Sequence, residues 1–268
     1  MAYRFLVLDL DGTLLNAQKE LTSVTRQAIF QAREAGVCIV LASGRPTYGV
    51  APIADALEMD RKGGYVLAFN GGVVTDWQTK QKLVASELSA DMVPYLYERA
   101  QNSGFTLITY RDRYIITENP NDTYVQFEAR LNRMELLQVE NLEAAVGTAV
   151  PKCLITGEPD RLVMLEADLK AALAGRAEVY RSEPFFLEIM PLGIDKARSL
   201  ERLLQLIGGK REELVACGDG FNDLSMIRYA GLGVAMANAQ PAVRDAADFV
   251  TLSNEEDGVA HVVRKFML

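Results

Sequence analysis

Apolar residues in this chain gather into short unbroken runs that alternate with longer stretches of helical pattern. Phe5-Leu6-Val7-Leu8, Val37-Cys38-Ile39-Val40-Leu41 and Tyr65-Val66-Leu67-Ala68-Phe69 have no polar interruption, as expected of strands buried on both faces of a parallel sheet. Between the first two, Thr22 to Ala35 carries apolar residues at helical spacing, with Thr22 or Ser23 as cap and Gly36 as stop. Pro46 suits the first turn of a helix leading to the third run. Such alternation predicts a right-handed parallel α/β unit, in which ligands collect at the carboxyl ends of the strands. Asp9, Ser43 and Asn70 all fall at such ends.

The pattern changes from about Val73. Val73-Val74-Thr75 and Leu83-Val84 predict a small hairpin, Ser89 to Ser103 a helix, and Phe105 to Tyr110 with Tyr114 to Thr117 a strand pair. A helix over Asp122 to Leu131, a strand over Lys152 to Thr156, a helix over Pro159 to Leu173 and a hairpin of Glu178 to Arg181 with Phe185 to Met190 follow. Hairpins mixed with helices indicate an α+β module placed within an α/β chain. The earlier rhythm then returns: a helix over Asp195 to Ile207, strands at Leu214 to Cys217, Leu232 to Met236 and Phe249 to Thr251, and helices over Leu224 to Tyr229 and Glu255 to Phe266.

With 268 residues, 49% hydrophobic and 24% charged, the chain has an ordinary globular composition and room for a core with an inserted domain. Its formal charge of −8 argues against a nucleic-acid or anionic-membrane surface. The first apolar segment meets Asp9 too early for a signal peptide and no run approaches bilayer-spanning length, so a cytoplasmic location without a membrane partner is expected. Cys38, Cys153 and Cys217 lie far apart among apolar neighbours and read as buried free thiols. His261, the sole histidine, has no nearby partner for nucleophilic catalysis and reads as a surface or interface residue.

The chemistry begins at Asp9-Leu10-Asp11-Gly12-Thr13. If extension persists past the first strand, Asp9 and Asp11 point the same way, and Gly12 lets the chain turn. Two carboxylates there repel each other and lose hydration, so they need a cation, a shared proton or both. A hard divalent ion such as Mg2+ suits oxygen ligands. The same residues also form an ordinary turn, so the decision falls to the other strand ends. Those ends supply Ser43-Gly44-Arg45, Asn70-Gly71 and Gly218-Asp219-Gly220-Phe221-Asn222-Asp223.

Together with Lys196 in Gly193-Ile194-Asp195-Lys196, these stretches resemble the haloacid dehalogenase-like superfamily of phosphotransferases, most closely its Cof-type sugar-phosphatase subgroup, across essentially the whole chain. Asp9 to Thr13 is similar to the first motif of that family, Ser43 to the second, Lys196 to the third and Gly218 to Asp223 to the fourth. The resemblance implies a Rossmann-like parallel-sheet core of residues 1–83 and 192–268 and an inserted α+β cap of residues 84–191 that selects the leaving group. It implies Asp9 as nucleophile through an aspartyl phosphate. Asp11 would be the acid and base, protonated in the first step. Mg2+ would be held by Asp9, the Asp11 carbonyl and Asp219, with Asp223 close by. Leu10, Ser43, Gly44, Asn222 and Lys196 would hold the phosphoryl group, and Arg45, Asn70 and Gly71 are candidates for substrate contact. In the cap, Tyr110, Arg111, Arg113, Tyr114 and Tyr124 are further candidates.

Charge arithmetic supports the metal. With Asp11 protonated, Asp9, Asp219 and Asp223 carry three negative charges, which Mg2+ and Lys196 cancel. Without those cations each like-charge pair ~4 Å apart would cost on the order of 4 kcal/mol at an effective dielectric near 20. The expected function is hydrolysis of small phosphorylated metabolites, in particular sugar phosphates, by a monomer or homodimer. A phosphomutase of the same fold and a phosphate-dependent sensor or scaffold without turnover are the alternatives. One departure is Ala197, where many relatives carry glycine after the lysine.

Overall fold

The computed structural model describes residues 3–268. In chain order the first part contains β1 (Phe5–Leu8), α1 (Ser23–Glu34), β2 (Cys38–Ala42), α2 (Thr47–Ala56), α3 (Met59–Lys62), β3 (Tyr65–Ala68), β4 (Val73–Asp76) and β5 (Lys82–Ala85). The middle holds α4 (Met92–Ser103), β6 (Thr106–Arg111), β7 (Tyr114–Thr117), α5 (Thr123–Asn132), β8 (Glu135–Gln138), α6 (Leu142–Val146), β9 (Cys153–Thr156), α7 (Pro159–Ala172), β10 (Ala177–Glu183) and β11 (Phe186–Pro191). The last part is α8 (Lys196–Ile207), β12 (Leu214–Gly218), α9 (Leu224–Tyr229), β13 (Leu232–Ala235), α10 (Pro241–Ala246), β14 (Phe249–Val250) and α11 (Gly258–Phe266). The chain divides into two compact units, one of residues up to Val84 with Asp195–Leu268, the other Ala85–Ile194.

The first unit is built on an eight-stranded sheet in the order β14-β13-β12-β1-β2-β3-β4-β5. From β14 to β3 the pairings are parallel, and β4 returns antiparallel on β3. β1 is central, fully buried, and paired so that Leu8 lies opposite Cys217 on one side and Leu41 on the other. The residues after these three strands therefore leave the sheet along one edge, which brings Asp9, Ser43 and Asp219 together. Amphipathic helices cover the sheet. α1 starts where the Thr22 hydroxyl accepts the Thr25 N–H at 3.1 Å, and buries Ala28, Ile29 and Ala32. α8 starts at Asp195, whose carboxylate accepts the Arg198 N–H at 3.1 Å. That cap makes Lys196 the first helical residue, on the same buried face as Ser199, Leu200, Leu203 and Leu204. Each fully buried leucine there contributes about 1.5–3 kcal/mol.

The second unit has a six-stranded sheet in the order β10-β11-β9-β6-β7-β8, all antiparallel except β7 with β8. Its core includes Leu96 from α4, Leu107 and Ile155 from the sheet, and Leu162, Leu165 and Leu169 from α7.

Three local readings shift. Pro46 is the N-cap of α2 rather than a residue of its first turn. Glu255 belongs to a 3-10 turn, because Asp257 is left-handed (φ 56°) and α11 begins only at Gly258. β10 runs through to Glu183, past the expected turn at Ser182, with a register shift between Arg181 and Glu183. β8 and α6 carried no sequence signal: one is a four-residue edge strand with polar ends, the other a five-residue helix. Cys38, Cys153 and Cys217 are free thiols, Cys38 only half-buried. His261 is half-buried, with Nδ1 3.0 Å from the Thr251 hydroxyl.

Candidate active site

Asp9 and Asp11 part company at the end of β1. The strand stops at Leu8, and Gly12 adopts φ +84°, a conformation open to glycine at little cost. Asp9 turns inward and is 5% exposed. Asp11 turns toward Arg45, whose Nε and Nη2 reach its two carboxylate oxygens at 2.7 and 2.6 Å, while Lys19 Nζ lies 2.8 Å from one of them.

Asp9, Asp219 and Asp223 form one acidic group, each offering a carboxylate oxygen within 4.8 Å of the others. Lys196 is embedded in it. Its Nζ donates to Asp9 Oδ1 at 2.8 Å, to Asp223 Oδ1 at 2.5 Å and to the Ala42 carbonyl at 2.8 Å, which uses all three of its hydrogens with no side-chain exposure. Asp223 is held from both sides, since its Oδ2 also accepts the N–H groups of Asp219 and Gly220, both at 2.9 Å. The Thr13 hydroxyl donates to Asp219 Oδ1 at 3.0 Å. Gly12 is needed for closeness: a Cβ there would stand 2.4 Å from Asp219 Oδ2.

The electrostatics follow from this crowding. Burial and the charge of Asp223 push Asp9 up to about 8 against the pull of Lys196. Burial and Asp223 likewise push Asp219 up to about 6. Burial alone would lower Lys196, but Asp223 and Asp9 outweigh it and raise it. Burial would raise Asp11, yet the hydrogen bonds and charges of Arg45 and Lys19 prevail and hold it below the usual carboxylate range. The expectation that Asp11 enters the first step protonated is therefore not met in this arrangement. A bidentate guanidinium and an ammonium on its oxygens favour the carboxylate form of Asp11.

The remaining residues expected in the site are held by local contacts within their own units. Leu10 is fully buried, and its carbonyl accepts the N–H groups of Thr13 and Leu15. Ser43 is 2% exposed, its hydroxyl accepting the Arg45 N–H at 3.1 Å. Asn70 is left-handed (φ 54°), and Asn222 donates to its Oδ1 at 3.1 Å; the same Oδ1 would lie 3.3 Å from a Cβ on Gly44. Gly71 is buried against α8, where the Ser199 hydroxyl donates to its carbonyl at 2.8 Å, and a Cβ would collide with that hydroxyl at 2.4 Å. Its backbone conformation and packing account for the glycine. In the second unit Tyr110 is buried, with its hydroxyl donating to Glu128, and Arg111 donates to the carbonyls of Ala145 and Val146. Arg113 reaches the Tyr114 hydroxyl and Glu135, and Tyr124 stacks on Phe185 at 4.7 Å.

The donor set fits a hard divalent cation. Three carboxylates with one lysine leave two uncompensated negative charges, two of the three acids are held above their usual range, and all the donors are oxygen. Asp9 and Asp219 would supply side-chain oxygens and Asp11 its carbonyl, with Asp223 bracing Lys196 and the Asp219 backbone.

The haloacid dehalogenase-like hydrolase profile matches residues 6–263. The chain belongs to this family. The putative phosphatase YxeH of Bacillus subtilis (strain 168) is 33% identical over 267 residues, 99% of each chain. The B. subtilis 5-amino-6-(5-phospho-D-ribitylamino)uracil phosphatase YcsE is 29% identical, over 99% of this chain and 96% of its own. A haloacid dehalogenase-like hydrolase from Bacteroides thetaiotaomicron, solved as a crystal structure, superimposes with a TM-score of 0.96 at 48% identity over 98% of this chain and 99% of its own. This haloacid dehalogenase-like protein is thus a phosphatase, a phosphoric monoester hydrolase with the fold its motifs imply. Among its described residues no helix is long and apolar enough to cross a membrane.

Sequence reasoning passed over several residues that shape the family's site here. Thr13 lies in the opening motif but is given no role there, and Lys19 and the Ala42 carbonyl carry no signal in the sequence. Asn238 donates to the Gly12 carbonyl at 2.8 Å, Asn254 donates to the Leu15 carbonyl at 2.9 Å, and Glu255 accepts the Ala17 N–H at 2.6 Å, so the loop after Asp11 is tied down from the far end of the chain. The only hint is that Asn238 follows a strand end, as Ser43 and Asp219 do.

Proposed function

We propose that the protein is a Mg2+-dependent phosphatase of small phosphorylated metabolites of the sugar-phosphate type, working through an aspartyl phosphate on Asp9. The observation that carries this is the Asp9-Lys196-Asp223 cluster with Asp219 beside it, an anionic pocket that is useful only with a cation and a phosphoryl group. Asp9 attacks phosphorus, so that its bond to phosphorus forms as the bond to the ester oxygen breaks and the alcohol departs with a proton. Water then attacks the phosphorus, the bond to Asp9 breaks, and phosphate leaves. Lys196 aims Asp9 and offsets phosphoryl charge, and Ser43, Gly44, Asn222 and the backbone of Leu10 hold the phosphoryl oxygens. Bound Mg2+ supplies further charge compensation to those oxygens.

Asp11 is in the state required to take the proton from the water of the second step. Donation to the leaving alcohol in the first step requires that Arg45 and Lys19 release Asp11 and that it take a proton from solvent, which it passes to the alcohol and regains from the attacking water of the second step. The ribityl phosphate named for YcsE supports a polyhydroxylated leaving group. Residues 84–191 are assigned the choice of that group, on the grounds of their half-exposed aromatic cluster of Tyr124, Phe127 and Phe185. The test is phosphate release from an aryl phosphate and a panel of sugar phosphates. Asp9→Asn should lower kcat on the order of 10^4-fold or more, and chelation should abolish turnover until Mg2+ is restored. Parent-level release by a folded Asp9→Asn, or turnover indifferent to chelation, would overturn the proposal.

A further inference from the structure

Two cations converge on one acid at the mouth of this site. Arg45 is almost enclosed, with its side chain 11% exposed. Its backbone carbonyl accepts the Phe69 N–H, its N–H goes to the Ser43 hydroxyl, and Nη1 lies 3.5 Å from the Gly49 carbonyl, so the guanidinium is fixed from both ends. Its outward fork, Nε and Nη2, is taken up by both oxygens of Asp11, and Lys19 adds a second cation to the same carboxylate. Arg45 immediately precedes the cap of α2, a helix whose N-terminus has neither a capping side chain nor an acid in its first turn. Arginine, ammonium and helix end together exceed the single negative charge of Asp11.

This excess matters because of where Asp11 works. If Asp11 serves the ester oxygen, as the proposed function requires, a guanidinium one hydrogen bond beyond Asp11 is within reach of the first carbons of the leaving group. Arg45 already presents the planar fork that matches a carboxylate.

We propose that Arg45, with Lys19, is a specificity-determining receptor for a carboxylate on the leaving group, so that the preferred substrates are phosphate esters of hydroxy acids, sugar acids among them. The substrate carboxylate takes the place of Asp11 on Arg45, and Asp11, freed of both cations, takes a proton from solvent and presents it to the ester oxygen. This inference rests on the phosphatase reading and deepens it.

An isosteric series tests it: phosphoglycolate, 2-hydroxyethyl phosphate and 2-aminoethyl phosphate, which differ only in bearing a carboxylate, an alcohol or an ammonium. The parent enzyme should favour phosphoglycolate over 2-hydroxyethyl phosphate by about tenfold or more in kcat/KM, chiefly through KM, and should disfavour 2-aminoethyl phosphate. Arg45→Gln should bring the first ratio close to one, and Arg45→Lys, which keeps charge without the fork, should leave an intermediate value. A residue that only steadied Asp11 would lower all three substrates alike. A ratio near one in the parent, or a ratio unchanged in folded Arg45→Gln, overturns the inference while aryl phosphate turnover leaves the phosphatase reading standing. Absence of phosphate release from every ester, the aryl phosphate included, would instead strike the phosphatase reading itself.

Discussion

The two units each bury a lysine, and the two lysines are kept for different reasons. In the second unit Lys152, with 4% side-chain exposure, pairs one to one with Glu188 at 3.3 Å, beneath the Tyr110 ring, while the Tyr180 hydroxyl supplies Glu188 with a further hydrogen bond at 3.2 Å. The Lys152–Glu188 pair is balanced in itself, while a second buried acid of the same cluster, Glu128, is held by the Tyr110 hydroxyl at 2.7 Å, and such a pair is of the kind that well-packed apolar residues can replace at little cost. In the first unit Lys196, with no exposure, faces three acids, and the group stays negative after it is counted. Packing gains nothing from such an imbalance, and stability is reduced by it. A balanced buried charge therefore marks architecture, and an unbalanced one marks chemistry.

The largest effect that tests this contrast comes from the lysines themselves. Lys196→Met should lower kcat for an aryl phosphate on the order of 10^3-fold or more, and combining it with Asp223→Asn should not restore turnover. Lys152→Met alone should cost about 3–5 kcal/mol of stability, whereas Lys152→Met with Glu188→Met should return close to the parent. Denaturant melts and steady-state rates check both. Equal loss of aryl phosphate turnover from the Lys152, Glu188 double variant would erase the distinction.

Next in size is Gly12→Ala. Its Cβ would meet Asp219 at 2.4 Å in a backbone conformation of φ +84°, so Mg2+ affinity by calorimetry should fall about tenfold or more. Unchanged affinity would mean that Asp219 moves freely and that the tight approach has no bearing on the ion.

The pH dependence should be milder. Asp9 and Asp219 are raised, so between pH 4 and 8 the folded protein binds more protons than the unfolded chain, and stability without Mg2+ should fall as pH rises through that window. The raised Lys196 contributes at full strength across it, and the lowered Asp11 adds stability that is lost only as pH drops below the usual carboxylate value. Mg2+ competes with protons for the acids, so its gain in Tm should grow from pH 5 to pH 8. A gain that is flat or shrinking with pH would contradict the imbalance on which the comparison depends.

The smallest effect is expected of Ala197→Gly. Ala197 is half-buried in the first turn of α8, and glycine there should cost up to about 1 kcal/mol in stability with little change in kcat/KM. A large gain in kcat/KM would show that the methyl group narrows the way to the phosphate.

Much of this was legible from residues alone. Uninterrupted apolar runs locate β1, β2, β3 and β12 because strands buried on both faces tolerate no polar residue. The first, second and fourth motif positions follow because each comes just past the end of such a strand. β8 and α6 were not legible, since an edge strand need not be apolar and a five-residue helix has no period. In the site, Asp9, Ser43 and Asp219 follow strand ends that share one edge of the sheet, whereas Lys196, the first residue of a helix, was singled out only by resemblance to the family's motifs.

Resemblance implied separate roles for the opening pair of acids, but only the tertiary structure gave them separate partners. Asp9 and Asp11 are two residues apart and chemically identical, and nothing local assigns one to a buried lysine and the other to an arginine and a lysine. That separation depends on Gly12 reversing the chain, on Arg45 arriving 34 residues later and Lys196 187 residues later, and on Asn238 holding the loop from beyond both. Sequence sets which groups can ionise and where strands end. Which charge meets which is fixed only when distant segments pack, because a Coulomb interaction depends on distance in space and not along the chain.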